Sequence, residues 1–545
     1  MKFAKAPKSA PLMLVAALGL LSACSSSNGT SADTADARSK IKVTPGNGNG
    51  STTTTSPTSG TSTSTVVYDV SIGSGVDGNG YANLPLRAGA HRYFVSSASG
   101  SDGNGCAAAQ QPTTPLRSIA AGAACVQAGN GDQVMVAEGT SYAEGLPNLD
   151  SRAGYSAAYP TVIQSYNPAD PLNEATQGRA ANGRRPVINT GANAQPLTCC
   201  ATPGASYLAI RGFDINPGNR PDMSVSLVGS NNYVLIENNI FRYTALTFDK
   251  WNYAQATSHV VRKNAFYGSW SPTAHAQGIY DNGTDNLVVE DNVFWHTGWK
   301  VGANRDDDPS IGGPTIFRHS IYQQDTTNAT VRRNLFMDPS ATGCSCRGDT
   351  SISENVFIDN PLAIIAGLGD GYNTVRPNGV SIDIGYNAII GDADINSANP
   401  RGQAITTGNG KQGSSAHNNL IVRSRNVNGV NTYAFITDAN FAQPSYMSFD
   451  SNLVYQFSTT TFYSNGGSYP GQDFPTYTNN LWDTAASGTN TSSAGATYPN
   501  AYSEAQLFAA LGCTDKATCA ARMIETPEAG WAAKARALLW QGYGR

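Results

Sequence analysis

Ile236-Glu237-Asn238-Asn239-Ile240-Phe241 is a line that this chain repeats with variations. It returns as Val261-Arg262-Lys263-Asn264-Ala265-Phe266 and as Val289-Glu290-Asp291-Asn292-Val293-Phe294. Val331-Arg332-Arg333-Asn334-Leu335-Phe336 and Ile352-Ser353-Glu354-Asn355-Val356-Phe357 follow, and looser copies centre on Asn387, Asn419, Asn452 and Asn480. The steps between these asparagines are 25, 28, 42, 21, 32, 32, 33 and 28 residues. A repeat of that size is one supersecondary unit, and stacked units make a solenoid. Apolar residues alternate with polar ones in each line, which is the period of a strand. Asparagine suits the corner, because it tolerates left-handed backbone angles and its amide can bond a stacked neighbour. One asparagine per coil reads as the ladder of a parallel β-helix, an all-β solenoid.

The rest of the composition agrees. The chain has 545 residues, enough for a large core, with 14% charged residues and 56 glycines. A net charge of -4 points away from nucleic acid as a partner.

The first residues read as an export signal. Lys2, Lys5 and Lys8 form a positive end, and Leu12 to Leu21 an apolar stretch. It closes on Leu21-Ser22-Ala23-Cys24, which resembles a bacterial lipobox. The resemblance implies cleavage before Cys24 and lipidation of its sulfur, an anchor rather than a span. Ser25 in place of Asp implies the outer membrane of a Gram-negative cell. Residues 24–65, rich in Ser, Thr, Gly and Asn, bury too little apolar surface to fold and read as a tether. The expected division is therefore 1–23 signal peptide, 24–65 tether, 66–482 solenoid and 483–545 a C-terminal cap. Eight further cysteines in an exported chain suggest disulfides, with Cys106–Cys125 and Cys513–Cys519 the most local pairs. Cys199-Cys200 and Cys344-Ser345-Cys346 lack the spacing of a metal site.

The folded part opens on Tyr93-Phe94-Val95-Ser96, then Pro115-Leu116-Arg117-Ser118-Ile119 and an Ala-rich run, then Gly131-Asp132-Gln133-Val134-Met135-Val136. This resembles the start of the right-handed parallel β-helix proteins of the pectate-lyase-like group. The resemblance covers roughly residues 92 to 482. It implies a short helix plugging the N-terminal end, because an open solenoid exposes its core and strand edges. Ser118 is the expected N-cap of that helix. Val187-Ile188 and Tyr207 to Ile215 read as early strands, and Ser503 to Leu511 and Trp531 to Leu539 as helices.

Insertions between coils build the walls of a groove. The longest step, Asn292 to Asn334, contains Trp295, His296, Trp299, Lys300, Arg305, Asp306, Asp307 and Asp308, and closes on Arg318-His319-Ser320-Ile321-Tyr322. Counting back twelve from Asn292 and from Asn334 reaches Tyr280 and Tyr322, so the two are expected in one slot of adjacent coils, with Asn252 in that slot one coil earlier. Simple alternation turns Gln277 and His319 inward with Ile279 and Ile321, and Tyr280 and Tyr322 outward with Gly278 and Ser320; a bulge reverses this.

Many polysaccharide lyases and epimerases of this fold remove the C5 proton of a uronate. That step needs a cation for the carboxylate, a base, and an acid for the leaving oxygen. The expected base and acid are His319 and Tyr322, with Tyr280 and His275 beside them. Lys300, Arg305 and Arg347 are candidates to grip carboxylates, and Trp295 and Trp299 to stack on sugar rings. His259 and His417 read as turn or ladder residues. Asp306-Asp307-Asp308 has three readings: calcium ligands, hydrolytic acids, or a solvated loop paired with Arg305. Calcium is the one cofactor this admits. Asp307-Asp308-Pro309-Ser310 only brushes against the epimerase motif Asp-Pro-His-Asp, and Arg347-Gly348-Asp349 carries no adhesion reading.

Three functions stay open at this point. One is a surface-anchored, monomeric lyase (or epimerase) on an acidic polysaccharide. Another is a glycoside hydrolase using Asp281, Asp306 and Asp325. The third is a glycan-binding rod without catalysis.

Overall fold

The computed structural model describes residues 68–543, apart from 70, 181–182, 192–194, 200–205, 274, 368–378, 423–432, 438–445, 456–460, 465–466, 471–476, 479–480 and 484–502. The signal, Cys24, the tether and Asn480 lie outside the described residues.

Each repeat line turns the chain from one sheet into the next. Among the described residues the coils build three sheets, here A, B and C, of 13, 12 and 11 strands. One coil runs Ala256–Arg262 in sheet A, Ala265–Tyr267 in sheet B and Gln277–Asn282 in sheet C. The next runs Thr284–Glu290, Val293–Trp295 and His319–Gln324. Among the described residues successive coils pair in parallel, with one antiparallel hairpin, Thr461–Ser464 and Gly467–Pro470, at the end of sheet C, so the chain is an all-β parallel β-helix.

The asparagine ladder sits at the corner between sheets A and B. Asn264 Oδ1 accepts from the Asn239 backbone N–H at 2.9 Å and from Asn239 Nδ2 at 3.1 Å. The same double bond recurs from Asn264 to Asn292, Asn334, Asn355, Asn387, Asn419 and, last described, Asn452. The left-handed residue is not the ladder asparagine but the one before it: Asn238, Lys263, Asp291, Arg333 and Glu354 all have φ between 54° and 58°. The ladder asparagine is therefore kept for its amide, which supplies donor and acceptor at once in a buried corner.

Inside, the last residue of each line stacks on the next. The rings of Phe241, Phe266, Phe294, Phe336 and Phe357 follow one another at 4.7 to 4.8 Å. The charged second position of the lines also stacks, on the outer face of sheet A. Arg211, Glu237, Arg262 and Glu290 alternate in sign and pair at 2.8 to 3.4 Å. The segment before the first strand roofs this row: Ala82 N–H donates to Glu237, and Arg262 donates to the Asp69 carbonyl. Pairing of every member is what makes so many buried charges tolerable.

The N-terminal plug is helix Ile119–Cys125, capped by the Ser118 side chain and tied by the Cys106–Cys125 disulfide. Val187–Ile188 and Leu208–Arg211 are strands. Cys513–Cys519 is also bonded, as is Cys344–Cys346. Three C-terminal helices, Glu504–Ala510, Lys516–Glu525 and Trp531–Gly542, lie back along the outer face of sheet B. Ser503 closes the first with a capping box. The middle helix is one that the sequence reading missed; its N-cap Asp515 and the buried stripe Cys519, Ala520, Met523 and Ile524 are the signals that mark it. Among the described residues no helix is long and apolar enough to cross a membrane.

Candidate active site on sheet C

Several of the sequence candidates come together on the outer face of sheet C. Tyr280 pairs with Tyr322 in adjacent strands, with ring centroids 5.8 Å apart. The slot one coil earlier holds Thr247, not Asn252. The insertion after Asp249 carries Asn252 and its neighbour Tyr253 past the strand into a turn.

Alternation fails between Gln277 and Tyr280. A Cβ on Gly278 would meet the Phe294 ring at 3.0 Å, so that position faces the core, and so does Ile279. The next coil behaves alike: His319 and Tyr322 are three residues apart, yet their rings lie 5.1 Å apart. This kink, shared in register by both strands, turns Gln277 and His319 to the outer face, with Gln277 in the cavity lining and His319 buried beneath Tyr322. Gln277 Oε1 then accepts the His319 backbone N–H at 2.7 Å.

A cavity of about 500 Å³ opens over this face, lined by His275, Gln277, Tyr280, Tyr322 and Gln324 at one end. Gln324 ties the phenols together. The Tyr280 hydroxyl donates to Gln324 Oε1 at 3.0 Å, and Gln324 Nε2 donates to the Tyr322 oxygen at 2.6 Å. The His275 ring stacks on Tyr322 at 6.1 Å and 17°. Arg347, one coil on, places its guanidinium 4.9 Å from the Tyr322 ring centre, and its Nε is buried without a partner.

Both histidines are held neutral. Partial desolvation first, then Arg347, lowers the His275 pKa. Burial first, then Arg347 and His275, pushes His319 down to about 3, and its Nδ1 has no partner. His319 is 4% exposed and lies under Tyr322, outside the cavity lining.

The other sequence candidates fall elsewhere. Trp295 stacks on Tyr267 at 4.9 Å, beneath the C-terminal helices. Trp299 is buried against His296 and donates to the Asp338 carbonyl. Arg305 lies over Trp299 and binds the Asp338 carboxylate and the Asp394 carbonyl, so it clamps the loop. These three are committed to packing and do not reach the cavity. Lys300 lies 5.1 Å over the ring of Trp270, a lining residue that sequence reasoning missed. No periodic signal marks Trp270, which sits in an irregular segment between sheets B and C.

Asp306, Asp307 and Asp308 do not converge. Each accepts a backbone N–H, from Ser397, Asn304 and Ser310 respectively. Among the described residues no three His, Cys, Asp or Glu side chains form a metal-binding group. Asp281 is buried in the core and bonded by Thr284 and Thr326, and Asp325 is paired with Lys250. The three aspartates considered for hydrolysis thus occupy three separate places. His259 is a core residue, and His417 bonds Asp383 at the surface of sheet A.

No protein-family model and no curated protein matches the chain. Solved structures do resemble it. A GH136 lacto-N-biosidase from Eubacterium ramulus is 13% identical, with a TM-score of 0.33 over 69% of this chain and 68% of that one. A rhamnogalacturonan lyase is 11% identical, with a TM-score of 0.32 over 68% of this chain and 87% of that one. An alginate lyase from Paenibacillus is 14% identical, with a TM-score of 0.32 over 63% of this chain and 96% of that one.

Proposed function

We propose that this protein is a polysaccharide lyase that cleaves a uronic-acid-containing polymer by β-elimination on the outer face of sheet C. The observation that carries the reading is the convergence of a neutral His275 and two bridged phenols in one groove, with the Arg347 guanidinium 4.9 Å from the Tyr322 ring centre. Arg347 binds the uronate carboxylate and stabilises the charge that develops there as C5 loses its proton. His275 takes that proton, since its pKa lies below the usual value and the ring is free to accept. The electron pair forms the C4–C5 double bond and the C4–O4 bond breaks. Tyr322 gives its proton to O4: its oxygen already accepts from Gln324, so its own O–H is free to point at substrate. The imidazolium then gives up its proton and the phenolate regains one by exchange with solvent, which restores both groups. His319 supports Tyr322 from beneath as a positioning residue.

A hydrolase on this face would need two carboxyls across one bond. Among the described lining residues there is one, Asp222. The same proposal includes export and lipid attachment at Cys24, read from Leu21-Ser22-Ala23-Cys24, with the activity at the outer membrane.

The test is absorbance of the unsaturated uronate end in a mixture of protein and uronate polymers. A rise that disappears in Tyr322→Phe and His275→Ala supports elimination at this face. New reducing ends without that absorbance would sink it in favour of hydrolysis.

A further inference from the structure

Phe317 stands beside the candidate base with its ring in solvent. It is 60% exposed, in the loop that leads into the strand His319–Gln324. Its ring centre lies 5.6 Å from that of His275. Single apolar side chains on a surface are ordinary, so exposure alone carries nothing. What sets Phe317 apart is how it is held and what it touches.

The backbone under the ring is pinned. The Thr315 N–H donates to Ser340 Oγ at 2.8 Å, and Ser340 Oγ donates back to the Thr315 carbonyl at 2.9 Å. The Phe317 N–H donates to Thr315 Oγ1 at 3.1 Å. On the other side Arg318 is buried and donates to the Gly313 carbonyl at 2.9 Å. A ring on a free loop folds inward and hides its apolar surface; these bonds hold this one out. A ring fixed in this way loses little entropy when a ligand covers it.

The same residue anchors His275. The Phe317 carbonyl accepts a hydrogen bond from the His275 ring, and another from Gln277 Nε2 at 3.4 Å. Backbone and side chain thus have separate tasks: the carbonyl orients the base, and the ring extends the surface beyond it. Tyr280, Tyr322, His275 and Phe317 follow one another at ring separations of 5.8, 6.1 and 5.6 Å. The first three line the cavity, and Phe317 continues the row past the lining.

A phenylalanine side chain has no hydrogen-bonding atom, so what it recognises is an apolar face. A pyranose ring presents one in its C–H bonds, while its hydroxyls point to the sides. We infer that Phe317 is the stacking platform for the sugar next to the one held over His275 and Tyr322, so that the polymer leaves the cavity past His275. This rests on the lyase reading only for which sugar lies over His275. Such a contact is alike before and during the reaction, so it acts on binding and not on the chemical step.

The experiment titrates the full chain with hexasaccharides prepared from polygalacturonate, alginate, rhamnogalacturonan and hyaluronan and, separately, follows ultraviolet absorbance. The parent is expected to bind at least one of the four. Phe317→Ala should weaken that binding about fivefold or more, the size of one aromatic contact, with Tm unchanged. Phe317→Tyr should restore most of it, since only the ring face is used. Ile311→Ala removes a side chain of the same loop that is 59% exposed but outside the row of rings, and it should leave binding as in the parent. Overturning results are no binding of any hexasaccharide, no loss in Phe317→Ala, an equal loss in Ile311→Ala, or self-association of the parent that Phe317→Ala abolishes. The absorbance arm judges elimination independently. Binding that depends on Phe317 with no absorbance change leaves the platform and removes the lyase; elimination with binding untouched by Phe317→Ala does the reverse.

Discussion

Arg347 holds its guanidinium 4.9 Å from the centre of the Tyr322 ring, and its Nε is buried without a partner. Stacking on the ring orients the planar fork, and a planar fork matches a carboxylate with two parallel bonds. Arg347→Ala is therefore expected to lower kcat/KM on a uronate polymer by roughly 10- to 100-fold, the range for one hydrogen bond to a charged group. Arg347→Lys should recover only part of this, because an ammonium cannot stack or bond in two directions. A full recovery would show that Arg347 acts as a point charge only.

The acid limb of the pH–rate profile should lie below the ordinary histidine value of about 6.5. Desolvation and Arg347 both lower the His275 pKa, so the ring stays a neutral base to more acidic pH. Arg318 adds to the lowering, and removing the Arg347 guanidinium removes the larger of the two charge effects. In Arg347→Ala the residual activity should show its acid limb shifted upward, toward 6.5. A downward shift, or none, would contradict the assignment of His275.

His319 links stability to pH in a defined direction. Its folded pKa is depressed to about 3, so the unfolded chain takes up the proton first. The stability tied to its neutral form is present above about pH 6.5 and is lost progressively as pH falls toward 3. His319→Gln should flatten the decline of Tm over that window, measured against the parent protein in the same buffers.

Asp281 works in the opposite sense. His259 Nε2 faces the Asn231 carbonyl at 2.7 Å and must donate to it. Burial pushes His259 down to about 4, so the neutral ring accepts at Nδ1, and the Thr284 hydroxyl 3.2 Å away supplies that proton. Thr284 then has none left for Asp281 Oδ1, so the carboxyl carries its own, in keeping with its pKa raised to about 6 by burial. The stability this confers is full below about 3.9 and lost as pH rises through 6. Asp281→Asn preserves a donor toward Thr284 and cannot ionise. Its Tm relative to the parent should rise between pH 4 and pH 7; a constant difference would rule out a protonated Asp281.

Trp299 separates packing from binding. It is 5% exposed and donates to the Asp338 carbonyl at 3.0 Å. Trp299→Ala should destabilise the fold by about 3–5 kcal/mol, the usual cost of deleting a buried ring, while KM stays near the parent value. Trp270→Ala should instead raise KM.

What the sequence by itself determined is everything that repeats from coil to coil. The asparagine steps set the coils, and counting back from Asn292 and Asn334 placed Tyr280 against Tyr322. A coil touches its neighbours at matching positions, so each such contact leaves a periodic trace in the chain. The tertiary structure decided what breaks the period. A kink after Gln277, matched by one after His319 in the next strand, turned both side chains outward against the simple alternation. Thr247, not Asn252, met Tyr280, because a short insertion beyond the strand shifted the count. Trp295 was lost to the C-terminal helices and Trp299 to Asp338, while Trp270 came to line the cavity. Those outcomes depend on which distant segment covers which face, and contacts of that kind leave no periodicity to read.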